Sequence, residues 1–81
     1  MPPQLSSTLC RQIETLAYLA PGELAVDTPL FSSGIIDSLN LLQLVTFVEQ
    51  QCGFKVAAEE LTLEHWDSIE RILAYIGRRS G

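Results

Sequence analysis

Between positions 4 and 20 the apolar residues fall at Leu5, Leu9, Ile13, Leu16 and Ala20. Steps of four, four, three and four keep them on one side of a 3.6-residue helix, so the spacing predicts a first helix over residues 4–20. Pro2 and Pro3 suit its entry, and Pro21-Gly22 suits its end. The pattern breaks over residues 21–37, which hold two prolines, two glycines and the pair Ser32-Ser33. A long ordered loop is predicted there, and loops of that length in compact domains are often functional. Leu24, Val26, Leu30, Phe31, Ile35 and Ile36 lie within it, which predicts a loop pinned to the core.

The strongest helical pattern is SLNLLQLVTFVEQQC, residues 38–52. At about 100° per residue, Leu41, Leu44, Val45, Val48 and Cys52 share one face. Asp37 or Ser38 is the expected cap and Gly53 the expected stop. Phe54-Lys55-Val56 reads as an extended connector, and AAEEL, residues 57–61, as a single helical turn. Asp67-Ser68-Ile69-Glu70 has the D-x-x-E form of a capping box opening a last helix. The core face of that helix would be Ile69, Ile72, Leu73 and Ile76, with Gly77 ending it. The sum is one all-α domain over residues 1–81, a small bundle of three main helices and one short one.

Composition narrows the function. The 81 residues are 47% hydrophobic and 19% charged, too apolar for a disordered chain. No apolar run approaches the ~18 residues of a membrane span. The start MPPQLSSTLCRQ lacks the basic and apolar regions of a signal peptide. A net charge of −5 repels nucleic acid and anionic lipid, so proteins with basic or apolar patches are the expected partners. Cys10 and Cys52 have no CxxC spacing and read as reduced thiols of a cytosolic protein. With His65 they make only three soft ligands, scattered along the chain, against the four of a structural zinc site. The GxSxG elbow, GxGxxG and the P-loop are all absent.

The informative segment is Gly34-Ile35-Ile36-Asp37-Ser38-Leu39, a serine at the mouth of the best helix after a long loop. As a nucleophile Ser38 lacks a base, since the one histidine lies 27 residues away. As an N-cap it would be ordinary. As the anchor of a phosphate ester it is well placed, because free amides and the positive end of the helix dipole favour an anion. Asp37 beside it adds a carboxylate able to hold a metal-bound pyrophosphate substrate during modification.

FSSGIIDSLNLLQLVTFVEQQCGFKV resembles the acyl carrier and peptidyl carrier proteins, whose signature is Asp-Ser-Leu at the start of the second helix of a four-helix bundle. The resemblance runs from about Asp27 to Ile76. The loop pattern D-T-P-L-F-x-x-G-I-I precedes the motif, and an amphipathic helix follows it. The resemblance implies 4′-phosphopantetheine on Ser38, installed from coenzyme A by a phosphopantetheinyl transferase, with Asp37 assisting. It also implies an acyl or aminoacyl thioester on the arm, loaded by an adenylating ligase and passed to a downstream synthase or transferase. Such a carrier is not an enzyme. It raises the effective concentration of its cargo at each partner, and a cytoplasmic monomer is expected.

Opposite the core stripe of the second helix lie Leu39, Asn40, Gln43, Thr46, Phe47 and Gln50. Leu39 is expected to touch partners, and Asn40, Gln43, Thr46 and Phe47 to extend the docking face. Fatty-acid carriers usually line this helix with carboxylates, whereas this chain has Asn40, Gln43, Gln50 and Gln51, with Glu49 as its one acid. That favours a discrete carrier of specialised polyketide or nonribosomal peptide metabolism. Glu64-His65-Trp66-Asp67 resembles a second branch, the D-alanyl carrier proteins of cell-wall teichoic acid modification, although the proline usual after that tryptophan is missing. Trp66 is expected in the core and His65 at the surface. A noncovalent helical interaction module, with Ser38 as a plain cap, is the reading of another class.

Overall fold

A computed structural model describes residues 5–80. The expected entry prolines, Pro2 and Pro3, lie outside those residues. The chain forms α1 (Leu5–Leu16), α2 (Ser38–Cys52), a 3-10 turn (Ala58–Glu60), α3 (Leu63–Trp66) and α4 (Ile69–Ser80). Among the described residues no strand occurs. The all-α, four-helix architecture is that of the acyl carrier type. α1 packs on α2 and α4, and α3 packs on α4.

One core joins the four α-helices and the long loop. α1 contributes Leu5, Leu9 and Ile13, and α2 contributes Leu44, Val45 and Val48. Trp66 comes from α3, and Ile69, Ile72, Tyr75 and Ile76 come from α4. The long loop adds Leu24, Leu30 and Ile36, which pin it as its composition predicts, although Val26 stays 47% exposed.

Four boundaries differ from the sequence reading, each for a local reason. α1 stops at Leu16 rather than residue 20, because Tyr18 adopts a left-handed conformation with φ +58°. The Leu19 amide donates to the Glu14 carbonyl at 2.8 Å and the Tyr18 amide to Thr15 at 3.4 Å, a Schellman closure around a non-glycine residue. The AAEEL turn is the 3-10 piece, and LEHW adds an α-helical turn that its short span concealed. Asp67 does not cap α4. The Ser68 hydroxyl does so, accepting the Arg71 amide at 3.2 Å, while Asp67 turns to the loop. Finally, α4 continues through Gly77. Its last turn is held by Arg79, which donates to the Glu60 carboxylate, the Tyr75 hydroxyl and the Lys55 carbonyl and lies over the Phe54 ring. These contacts offset the ~1 kcal/mol that a glycine costs within a helix.

Tyr75, absent from the expected core face, is buried between Trp66, Phe54 and His65. Burial raises its hydroxyl pKa, and the neighbouring Glu60 carboxylate raises it further. His65 is half-buried, its ring 5.1 Å from that of Tyr75, rather than a plain surface residue. Trp66 is 1% exposed and donates from Nε1 to the Glu60 carbonyl at 3.0 Å, which ties the 3-10 turn to α3.

Candidate functional site

The loop that delivers Ser38 is shaped by its own backbone. The Gly34 amide donates to the Phe31 carbonyl at 3.0 Å, and Gly34 takes φ +83°, a turn conformation that a Cβ would strain. The Ile36 amide then donates to the Leu30 carbonyl at 3.1 Å. This closes residues 30–36 into a ring with Leu30 and Ile36 buried on its inner side. The next residue opens α2.

Asp37, not Ser38, is the N-cap. Its Oδ1 accepts the Asn40 amide at 2.9 Å, while the Asn40 Oδ1 accepts the Asp37 amide at 3.3 Å. The pair forms a reciprocal capping box with asparagine in the place of the usual Glu or Gln. Ser38 is therefore the first helical residue, and its side chain is not spent on capping. It is exposed, and among the described residues none takes a hydrogen bond from its hydroxyl. The first turn of α2 holds no acidic residue, so the positive end of the helix dipole is not neutralised from within the helix.

Ser38 lines a half-open groove of about 190 Å³ with Phe31, Leu41, Leu61, Thr62, Leu63 and Trp66. Its lining is drawn from the loop, from α2, and from α3 and the residues leading into it. The groove is mostly apolar, which suits an extended arm with a small acyl group. A phosphate on Ser38 would sit over the free amides of α2. The residues present thus fit a phosphodiester-linked arm.

Around the serine stand three exposed leucines: Leu39 at 66%, Leu42 at 58% and Leu63 at 56%. Leu39 was singled out in the sequence. Leu42 and Leu63 were not, although Leu42 is one helical turn beyond Ser38 and so shares its face. Leu63 could be placed only once α3 was known. Among the other expected docking residues, Gln43 and Thr46 are exposed, and the Thr46 hydroxyl donates to the Leu42 carbonyl at 3.0 Å. Asn40 is half-buried and engaged with Asp37 and Gln43. Phe47 is half-buried and packs against the core rather than standing free.

The carboxylates of Glu60 and Asp67 both have structural partners. The Glu60 carboxylate accepts the Tyr75 hydroxyl at 2.9 Å and pairs with Arg79. The tyrosine hydrogen bond, with smaller help from the Ala57 amide and the Arg79 charge, holds its pKa below the usual range. Burial pushes the Asp67 carboxyl upward, but hydrogen bonds from Ser32, Phe31 and Leu30 outweigh it and hold its pKa below the usual value. Cys10 and Cys52 are free, and burial raises the pKa of both thiols. Among the described residues no group of three or more His, Cys, Asp or Glu is placed to hold a metal ion. No described helix is long and apolar enough to cross a membrane.

The family model described as "Phosphopantetheine attachment site" matches residues 7–76, nearly the whole chain and with Ser38 inside the match. The chain belongs to that family. It is a carrier protein, and its cofactor is covalently attached 4′-phosphopantetheine. It is 33% identical over 54 residues to a D-alanyl carrier protein of Abiotrophia defectiva, covering 67% of this chain and 68% of the relative. It is also 33% identical over 51 residues to D-alanyl carrier protein 1 of Lactiplantibacillus plantarum, covering 63% of this chain and 64% of that one. In a solved structure described as the crystal structure of an FAD-dependent dehydrogenase, one chain superposes with a TM-score of 0.75 at 32% identity. The match covers 84% of this chain and 97% of that chain, which is therefore slightly shorter than this one.

Proposed function

We propose that Ser38 bears the phosphopantetheine arm and that the carrier presents an aminoacyl group, held as a thioester, to enzymes acting in turn. The observation that carries this is the division of labour at the mouth of α2. Asp37 and Asn40 complete the cap, and Ser38 is left exposed at the first position of the helix. In modification, the serine oxygen forms a bond to the phosphorus of the incoming phosphopantetheine. The phosphoanhydride bond to the adenine nucleotide breaks, and the serine proton passes to a base of the transferase. Asp37 stands next to the acceptor, where its carboxylate adds negative charge for the transferase's metal ion. Once attached, the arm supplies a thiol that holds the cargo. The chain's own part is to tether and orient it, with no catalysis of its own.

The D-alanyl relatives support an amino acid as cargo, and an adenylating ligase is the class of enzyme that would load it. The uncharged α2 face, with Leu39 and Leu42 exposed among Asn40, Gln43 and Thr46, supports partners that dock by apolar contact. Free Cys10 and Cys52 fit a reducing, cytoplasmic setting.

A second reading rests on the dehydrogenase structure, whose matched chain resembles this one over more of its length than the D-alanyl carriers do. On that reading the tethered aminoacyl group is oxidised within a specialised pathway. A partner flavin enzyme would take a proton and a hydride from that group, and the loaded carrier would become about 2 Da lighter.

The test is intact mass. Apo protein incubated with coenzyme A and a broad-specificity transferase should gain one phosphopantetheine, and Ser38→Ala should gain none. No gain in the wild type would leave a noncovalent helical module as the reading. Loading the modified carrier with candidate ligases and amino acids, then adding a flavin dehydrogenase, separates the two cargo fates.

A further inference from the structure

We infer that Asp67 is the positioning residue for Ser38, fixing through one carboxylate both the loop that delivers the serine and the separation of the groove walls beside it. This rests on the reading of Ser38 as the attachment point. Three consecutive loop amides converge on the Asp67 Oδ1: Leu30 at 3.2 Å, Phe31 at 2.8 Å and Ser32 at 3.0 Å. The Ser32 hydroxyl donates to Oδ2 at 2.8 Å, and the Leu30 amide also reaches the Asp67 main-chain carbonyl at 2.7 Å. One residue thus takes every donor that the turn offers to the α3–α4 corner, across 35 to 37 positions of sequence. Successive amides aimed at one anion require the backbone to curl around it, so the charge specifies the curl.

Two structural paths lead from this anchor to the site. Along the loop, Leu30 donates to Asp67 and accepts from the Ile36 amide at 3.1 Å, and Ile36 leads directly into the Asp37 cap. At the groove, Phe31 is held by its amide, while Trp66 immediately precedes Asp67. Phe31 and Trp66 both line the cavity that Ser38 lines. A second stitch, from the Glu70 amide to the Val26 carbonyl at 3.0 Å, keeps the earlier part of the loop on α4. An asparagine would keep one acceptor oxygen for the amides but lose the charge and the second oxygen that receives Ser32. Hydrogen bonds to an ionised group are roughly twice as strong as neutral ones.

The experiment follows modification of the apo chain by a broad-specificity transferase and coenzyme A, with Ser38→Ala as the blank. Asp67→Asn should lower kcat about tenfold while leaving KM near the wild-type value, because the α2 docking face is untouched and the hydroxyl is misplaced. Far-UV circular dichroism should match the wild type at the assay temperature. In the wild type, the amide protons of Leu30, Phe31 and Ser32 should titrate together, with a midpoint below that of an ordinary aspartate, and Asp67→Asn should abolish the titration. Ser32→Ala, which removes one donor and keeps the carboxylate, should cost about threefold in kcat and serves if Asp67→Asn does not fold. Modification of the folded variants at the wild-type rate, or a wild type whose three amides do not share a titration, overturns the inference. A wild type that gains no arm refutes the Ser38 reading itself and takes the inference with it. A modified wild type beside unaffected variants refutes the inference alone.

Discussion

Leu39→Ala tests directly the proposal that partners dock on the exposed face of α2. Leu39 is 66% exposed beside Ser38, so two thirds of its surface is open for a partner to cover. Full burial of a leucine side chain is worth ~1.5–3 kcal/mol, so covering that share contributes ~1–2 kcal/mol to docking. Such a loss corresponds to roughly five- to thirtyfold in affinity, and the Cβ that alanine retains places the expectation in the lower half of that range. The fold should tolerate the change, since alanine is the strongest helix former and little of Leu39 is buried. Steady-state modification measured against carrier concentration should show KM raised about five- to tenfold with kcat within twofold of wild type. The defect should persist across ~50 to ~500 mM salt, because no charged residue lies between Ser38 and Val48 and screening has little to act on. Val26→Ala is the control, an exposed apolar residue lining a separate cleft beside α1, and it should leave both constants unchanged. An unchanged KM for Leu39→Ala, or a loss confined to kcat, would show that this leucine is not part of the docking surface.

Leu44 is fully buried, so Leu44→Ala should cost about 2–5 kcal/mol and lower Tm by roughly 10 °C or more in a domain of this size. A wild-type Tm would mean that the core face of α2 is wrongly assigned. Tyr18 holds φ +58° with a side chain 95% exposed, so Tyr18→Gly should remove backbone strain while losing almost no packing. After the extra unfolded-state entropy of glycine, a gain of up to ~1 kcal/mol in denaturant unfolding is expected, and a loss would refute the strain argument. The folded pKa values of Asp67 and Glu60 lie below their unfolded values, so both groups stabilise the fold above their unfolded values of about 4. That stability is lost as pH falls through the folded values. The urea midpoint should therefore hold steady from about pH 7 to 5 and drop below about pH 4, and Asp67→Asn with Glu60→Gln should flatten the acid limb. A midpoint independent of pH over the whole range would contradict the assignment.

Local rules were readable where one residue answers to its immediate neighbours. The stripe Leu41, Leu44, Val45, Val48 and Cys52 needs only helical periodicity, and the bounds of α2 follow from Asp37 and from Gly53 at φ +76°. The Asp-Ser-Leu motif was equally legible, because helix, loop and serine are contiguous. Tyr18 was not, since nothing about a tyrosine announces a left-handed residue, and tertiary packing of Leu19 and Leu24 on the core overrode its preference. Asp67 misled for a related reason. Asp-Ser at the mouth of a helix offers two candidate caps, and which one turns away depends on donors 35 residues earlier in the chain.

The amino-acid order alone determined the class of fold, the long pinned loop, the main helix and the serine at its start, because each depends on periodicity or on residues within a few positions of one another. Tertiary structure decided what that serine is free to do. Only folding brings Leu63, Trp66 and Phe31 together around its groove, and only folding bonds Asp67 to the loop. Those juxtapositions join segments some thirty positions apart, and pairing at that distance follows from how the whole core closes, a sum that no local pattern contains.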